Sequence, residues 1–147
     1  MEKILLKYLP IYLVGITGIW KGVPVGIALQ GTIFETATFT ALGSITTVIL
    51  LYYFGESVKK WVQKKWSKEK IAEKEGKFSR IMDKYGIIGL GLISPGPFGP
   101  ITTIIVGLLI VKQTSRLMPY LIIGIIFWSF ALTWLAVSGF NFIEGLF

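Results

Sequence analysis

Residues 94–100 read Ser94-Pro95-Gly96-Pro97-Phe98-Gly99-Pro100 and lie in the middle of a charge-free stretch, residues 85–111. A stretch of that length is long enough to cross a hydrocarbon core of roughly 30 Å. Three prolines within six residues exclude a continuous helix, because each proline removes an amide donor and clashes with the preceding turn. We therefore expect half-helices 85–93 and 101–111, joined by non-helical backbone. At roughly 14–17 Å each, neither could span alone.

The first apolar block has a milder form of the same break. Residues 8–34 carry a single charge, and the sequence predicts half-helices 4–19 and 25–34 around Lys21-Gly22-Val23-Pro24. Residues 37–54 and 120–140 are uninterrupted, and as helices they would be roughly 27 Å and 31 Å long, enough to span. With a mean hydropathy of +0.69, the four apolar stretches predict an integral membrane protein.

The two halves of the chain resemble each other. Superimposing their breaks aligns three pairs without gaps: Gly15 with Gly91, Pro24 with Pro100, and Gly31 with Gly107. A hairpin plus one span crosses the membrane an odd number of times, so consecutive copies would have opposite topology. The predicted fold class is an all-α integral membrane protein of two inverted repeats, each a Pro/Gly-broken re-entrant helical hairpin plus a transmembrane helix, joined by an amphipathic helical linker. We place the repeats at 4–55 and 85–141 and the linker at 56–84, within a single membrane domain, 1–147.

A plain bundle of four spans is the competing topology. The hairpin model puts Lys112 and Arg116 inside but Lys3 and Lys7 outside, and the four-span model does the reverse. Charge therefore does not decide between them. Hairpins are favoured because residues 21–54 are too long for one span and too short for two.

Charge is concentrated in the linker. The net charge is +7, and ten of the fifteen basic residues lie between Lys59 and Lys84. Because cytoplasmic loops of membrane proteins are rich in Lys and Arg, we expect a multi-pass protein of the inner (cytoplasmic) membrane with this linker on the cytoplasmic side, and no nucleic-acid binding. Apolar residues at helical spacing predict an amphipathic helix pair on the membrane surface, weakened at Gly76. They are Val58, Val62, Trp66, Phe78, Ile81, Met82 and Tyr85.

Two charged residues outside the linker are candidate site residues. Lys21 adjoins the first break, where a basic group and free amides would suit an anionic substrate group. The alternative is that Lys21 snorkels from an interfacial position. Glu35 could pair with Lys21 or couple transport to protons, or it could simply begin a helix at the interface.

The break residues are the other candidates for a substrate or ion pathway. Their exposed backbone groups could line a translocation site, or their small side chains could serve close helix packing. The set comprises Gly22, Pro24, Ser94, Pro95, Gly96, Pro97, Gly99, Pro100, Thr102 and Thr103. Thr102 and Thr103 could instead cap the second half-helix. Without Cys or His, and with no acidic pair or phosphate loop, we expect no enzyme activity, metal or cofactor.

Two segments carry a family resemblance. The segment Ile19-Trp20-Lys21-Gly22-Val23-Pro24-Val25-Gly26-Ile27-Ala28-Leu29 resembles the small multidrug export proteins, although Trp20 or a neighbour stands where the family has an acidic residue. Residues 85–90, the proline cluster, Gly124 and Trp128 are similar to the same group. They also resemble the wider DedA (SNARE-associated, VTT) superfamily, which often has an arginine after the second proline cluster where this chain has none. The resemblance implies paired re-entrant hairpins and movement of drugs, lipids or lipid carriers across a membrane.

The sequence thus predicts a small membrane transporter or exporter for an anionic or amphipathic substrate. Its site would lie near the midplane, where two opposed hairpins meet. The alternatives are a flippase or scramblase for an anionic lipid or polyprenyl-phosphate carrier, and a non-transporting membrane scaffold. The expected partners are the lipid bilayer and further copies of the chain, with a dimer favoured, because one small chain has little protein with which to bury two hairpins.

Overall fold

The computed structural model describes residues 1–145, and every regular element in that part of the chain is an α-helix. The helices, in chain order, are α1 Glu2–Ile16, α2 Ile19–Ala28, α3 Ile33–Tyr53, α4 Gly55–Lys65, α5 Lys68–Ile93, α6 Pro95–Phe98, α7 Pro100–Ile110 and α8 Thr114–Glu144. Helices α3 and α8, of 21 and 31 residues, are long and apolar enough to cross a membrane. The predicted all-α class and two long spanning helices are confirmed. Helix α3 begins four residues before its expected start and ends one residue before its expected end, and α8 extends beyond both of its expected ends.

The first break lies elsewhere than expected. Helix α1 ends at Ile16, the chain turns at Thr17 and Gly18, and Lys21-Gly22-Val23-Pro24 lies inside α2. Gly18 has φ 131° and ψ 158°, a conformation that side chains with a Cβ rarely adopt. Pro24 in the second turn of α2 costs a short helix one hydrogen bond. The break therefore forms at the glycine, and the prediction of a break at residues 21–24 was wrong.

The second break lies where it was expected. Helix α5 ends at Ile93 and α7 begins at Pro100. The backbone between them is not wholly irregular, because Pro95–Phe98 forms one helical turn, α6, before Gly99 at φ 82°. Helix α5 also bends sharply at Gly86, with φ 69° and ψ −167°, which separates the linker part of α5 from the half-helix that follows.

The linker forms two helices, but the division between them is not at Gly76. Helix α4 ends at Lys65, and α5 begins after Ser67, whose hydroxyl accepts a hydrogen bond from the Lys70 amide at 3.3 Å. A serine at the N-cap satisfies one of the free amides of a helix start. Gly76 lies inside α5, because an isolated glycine weakens a helix without ending it.

The contacts divide the described chain into two compact units. The first contains Met1–Thr46 and residues 125–145, and the second contains Thr47–Gly124. The core of the second unit is formed by five buried apolar residues: Phe78, Leu90, Val106, Val111 and Leu117. Because Phe78 belongs to the linker, the apolar stripe of α5 packs into this core. It does not lie free on a lipid surface, as the amphipathic pattern had suggested.

In each unit, a long helix crosses the first helix of the hairpin that precedes it, and a glycine lies at the crossing. The first hairpin consists of α1 and α2, and the second consists of the end of α5 together with α6 and α7. A Cβ atom added at Gly43 of α3 would lie 2.3 Å from the Tyr12 carbonyl oxygen of α1 and 2.9 Å from the Gly15 carbonyl carbon. A Cβ atom added at Gly124 of α8 would lie 2.3 Å from the Gly91 carbonyl oxygen of α5. Both crossings bring backbone against backbone, which only glycine allows at these distances.

Candidate functional site

The first group of predicted site residues lies on helix α2. Gly22 is buried, whereas Lys21 and Pro24 are exposed. The Lys21 ammonium forms no salt bridge in the described part of the chain. Since all three residues belong to regular helix, they do not supply the free backbone amides and carbonyls that a break at this point would have offered.

Gly22 and Gly26 form the face of α2 that packs on α3. A Cβ atom at Gly22 would lie 2.6 Å from the Thr40 methyl carbon, and one at Gly26 would lie 2.2 Å from the Thr36 methyl carbon. Both threonines are fully buried, and neither hydroxyl oxygen has a hydrogen-bond partner in the described structure. Small residues at i and i+4 let two helices approach closely, so Gly22 has a packing role here.

Glu35 takes part in a capping box at the start of α3. The Thr32 amide donates to the Glu35 carboxylate at 3.0 Å, and the Glu35 amide donates to the Thr32 hydroxyl at 3.2 Å. This reciprocal pair satisfies two otherwise free amides at the helix start. The interpretation of Glu35 as a residue that begins a helix agrees with this geometry.

The same carboxylate ties α1 to α3. It accepts a hydrogen bond from the Tyr8 hydroxyl, and it forms a salt bridge at 3.2 Å with the Lys7 ammonium. The Tyr8 ring stacks on Phe39 with 4.6 Å between ring centroids. The described structure therefore pairs Glu35 with Lys7, and the suggested pairing with Lys21 is absent.

An apolar groove of about 340 Å³ lies in the first unit, and Lys21 is close in sequence to the α2 residues that line it. Its wall consists of three residues of α2 and three of α8: Trp20, Val23, Pro24, Leu132, Leu135 and Ala136. Trp20 and Leu135 are 56% and 55% exposed, so the groove is open along one side. Lys21 directly follows Trp20 in the chain. It also stands three residues before Pro24, and residues three apart are neighbours on a helix surface.

The second group of predicted site residues surrounds α6. Ser94, Pro95, Gly96 and Pro100 are buried, and Pro97 is exposed. The Ser94 hydroxyl has no hydrogen-bond partner among the described residues, although it is fully buried. An unpaired buried hydroxyl is costly, which makes this the polar position of the second hairpin with most to gain from a bound group.

The two threonines after the second break differ. The buried Thr103 hydroxyl donates to the Gly99 carbonyl oxygen at 2.8 Å, and the same oxygen accepts from the Thr103 amide at 3.1 Å. Thr102 is half-buried. The structure thus gives Thr103 a local role at the helix start. The capping role expected for both threonines is different, because a capping side chain accepts a hydrogen bond from a free backbone amide.

A profile of the small multi-drug export protein family matches residues 18–131 of this chain. The chain belongs to this family. The matched region begins at Gly18, the residue at the first break, and includes both groups of candidate site residues. No curated protein and no solved structure matches the chain.

Several residues that matter in this member of the family were missed by the sequence analysis. The capping box was visible as Thr32-x-x-Glu35, a spacing that marks helix starts. Thr36, Thr40 and Ser44 repeat every four residues, which is the spacing of a close-packed helix face. The Lys7 salt bridge gave no local signal, because its partner lies 28 residues away.

Proposed function

We propose that this protein exports an amphipathic molecule carrying an anionic group, and that the groove beside Lys21 holds its apolar part. The observation that carries the proposal is the groove itself. Its volume of about 340 Å³ falls within the range of small-molecule sites, and its six lining residues are all apolar. A family described by drug export would require a surface of this kind.

Lys21 supplies the polar end of the proposed site. A lone lysine in a 27-residue apolar stretch is costly at membrane depth, so its presence beside an apolar groove favours a functional role. Its ammonium group can attract a carboxylate or phosphate while the apolar body of the substrate lies against Trp20 and Leu135. The proposal involves no chemical conversion of the substrate and no cofactor.

A lipid flippase or scramblase is the second candidate, because the open side of the groove suits an acyl or prenyl chain. Reconstitution into liposomes separates the possibilities. Flux of an anionic amphipathic dye supports export, and accelerated movement of an anionic lipid between leaflets supports the second candidate. If neither moves, the protein is a scaffold and the proposed function is wrong.

Substitution of Lys21 tests the site. We expect Lys21→Met to leave the protein inserted and at least as thermostable, because a charge that is costly at membrane depth is removed, while dye flux falls at least tenfold. Lys3→Met is the matched control, since Lys3 is an exposed lysine of α1 that lies outside the proposed site. Unchanged flux in Lys21→Met would mean that Lys21 only snorkels.

We also propose that the two hairpins are re-entrant parts of inverted repeats. The equivalent glycine crossings support this, because each hairpin meets its following long helix in the same way. Gly43 of α3 packs against α1, and Gly124 of α8 packs against α5. Single cysteines placed near Lys84 and Lys112 in this cysteine-free chain should then be labelled from the same side, which we propose is cytoplasmic. Labelling from opposite sides would favour four plain spans.

We further propose that the protein works as a homodimer in the inner membrane. The support is the need of the two hairpins for protein cover over their backbone, which a second copy of the chain would supply. Mass measurement of the detergent-solubilised protein tests this. A monomer that retains dye flux after reconstitution at one copy per vesicle would contradict it.

A further inference from the structure

The linker part of α5, residues 68–85, packs directly against the second hairpin. Phe78 is fully buried, and its ring lies 4.8 Å from the ring of Phe98, measured between centroids. Phe98 belongs to α6, the single turn inside the second break. The basic linker and the break therefore share an aromatic contact, which the sequence analysis did not foresee.

A cavity of about 250 Å³ lies where these two elements meet. Its lining combines three lysines and one glutamate of α5 with the two aromatic rings: Lys70, Glu73, Lys74, Lys77, Phe78 and Phe98. Lys70, Lys74 and Lys77 follow one another at i, i+4 and i+7, so they form a row along one side of the helix. The cavity thus has a basic wall and an aromatic floor.

The charge of the cavity comes mainly from two of its lysines. The Lys77 ammonium is held by the Glu73 carboxylate at 3.0 Å, and this hydrogen bond lowers the pKa of Glu73, so that pair is neutral in sum. In the described structure no carboxylate forms a salt bridge with Lys70 or Lys74, although the charge of Lys74 also contributes to the lowered pKa of Glu73. Their ammonium groups lie 5.3 and 5.4 Å from the centre of the Trp66 ring.

Trp66 indicates where this cavity lies relative to the lipid. Tryptophan favours the level of the lipid headgroups, and basic clusters on amphipathic helices attract anionic lipids. Here the cluster faces a cavity with an aromatic floor, which can hold the first carbons of an acyl chain while the lysines hold a phosphate.

From these contacts we propose that the cavity binds the phosphodiester headgroup of an anionic membrane phospholipid, between Lys70 and Lys74 on one side and Phe98 on the other. This site lies in the second unit, is distinct from the groove beside Lys21, and does not depend on the proposed export function. Because the lipid would touch both α5 and α6, its binding stabilises the contact between the linker and the second hairpin.

The test is lipid binding by the purified protein in a non-ionic detergent, where no charged bilayer surface is present. Phosphatidylglycerol should remain bound in native mass spectra and raise the midpoint of thermal unfolding, whereas phosphatidylcholine and inorganic phosphate should do neither. We expect Lys70→Gln/Lys74→Gln to weaken phosphatidylglycerol binding by about tenfold per lysine removed, the factor typical of one charge-assisted hydrogen bond.

A matched control makes the outcome specific. Lys60→Gln/Lys64→Gln removes the same charge from exposed positions of the neighbouring basic helix α4, and should leave binding unchanged. Equal losses in the two double variants would overturn the proposal in favour of diffuse attraction to basic helices. An equal thermal shift with inorganic phosphate would show a site for the free ion and would also overturn it.

Discussion

The two hairpins break by the same device and differ in what surrounds it. In the first, one glycine, Gly18, takes φ 131°, and the proline of the motif sits inside the following helix. In the second, Gly99 takes φ 82° within a cluster of prolines, two of which begin α6 and α7. Proline is well tolerated at the first position of a helix, whereas a left-handed backbone needs glycine. Glycine therefore sets the break in both hairpins, and proline marks helix starts only in the second.

The hairpins also differ in packing. The first lies on a row of buried threonines, Thr36 and Thr40, whereas the second lies on the apolar core that contains Phe78 and Leu90. The first hairpin is therefore packed at short distance against small polar side chains, and the second is packed against large apolar ones.

The largest effect should come from filling the two helix crossings. We expect Gly43→Ala and Gly124→Ala each to lower the free energy of unfolding by about 3 kcal/mol, because the added methyl group meets backbone atoms that cannot move independently. Gly139→Ala is the control, since the space around Gly139 is open, and it should stabilise α8 by up to about 1 kcal/mol. Thermal unfolding in detergent measures all three. A loss at only one crossing would show that the hairpins are not packed equivalently.

The next effect tests which residue makes each break. Gly18→Ala and Gly99→Ala should each cost about 2 kcal/mol, because alanine is strained at these dihedral angles. Pro24→Ala should be neutral or stabilising, since it restores an amide inside α2. The same unfolding measurement applies. If Pro24→Ala lowered the free energy of unfolding as much as Gly18→Ala, the proline would be the cause of the first break.

The fold was accessible from the sequence wherever pattern and length agree. Charge-free stretches of sufficient length predicted the two long helices, and three closely spaced prolines predicted the second break. The first break was misplaced because Pro24 was weighed as a helix breaker, while Gly18 had no distinguishing neighbour. Whether a glycine takes a positive φ depends on the packing around it, which local sequence does not contain.

The candidate site was accessible only in part. Lys21 stands out in the sequence, and the structure places three of its neighbours on α2 in the wall of a groove. The other three lining residues come from α8, more than 100 positions later in the chain. The contact between Phe78 and Phe98 was hidden for a similar reason. It depends on the bend at Gly86, which turns the linker back onto the hairpin.

A smaller effect concerns the capping box at the start of α3, whose Glu35 also contacts α1. Thr32→Ala removes the hydroxyl that accepts from the Glu35 amide, and should lower the free energy of unfolding by about 1 kcal/mol. Thr17→Ala is the control, because the Thr17 hydroxyl donates to the Val14 carbonyl at the end of α1 and caps no free amide. It should change stability by less than about 0.5 kcal/mol. Equal losses would mean that the capping box does not stabilise the first hairpin.

The smallest effect lies at the linker beside the second hairpin. Glu73 and Lys77 form an exposed i, i+4 pair, with side chains 66% and 53% exposed, and such pairs are weakened by solvent and salt. Because Lys77 lowers the pKa of Glu73, the pair stabilises the fold above the ordinary glutamate pKa, and this contribution disappears as the pH falls through the lowered pKa. Lys77→Gln should therefore raise the pKa of Glu73, which can be measured by carboxyl NMR in lipid-free detergent. The small loss of stability in this variant should vanish at acidic pH. Lys60→Gln should leave the Glu73 titration unchanged. If Lys77→Gln also leaves it unchanged, the pair does not persist in solution, and the charge of the cavity near Phe98 would have to be assigned to three lysines and a free carboxylate.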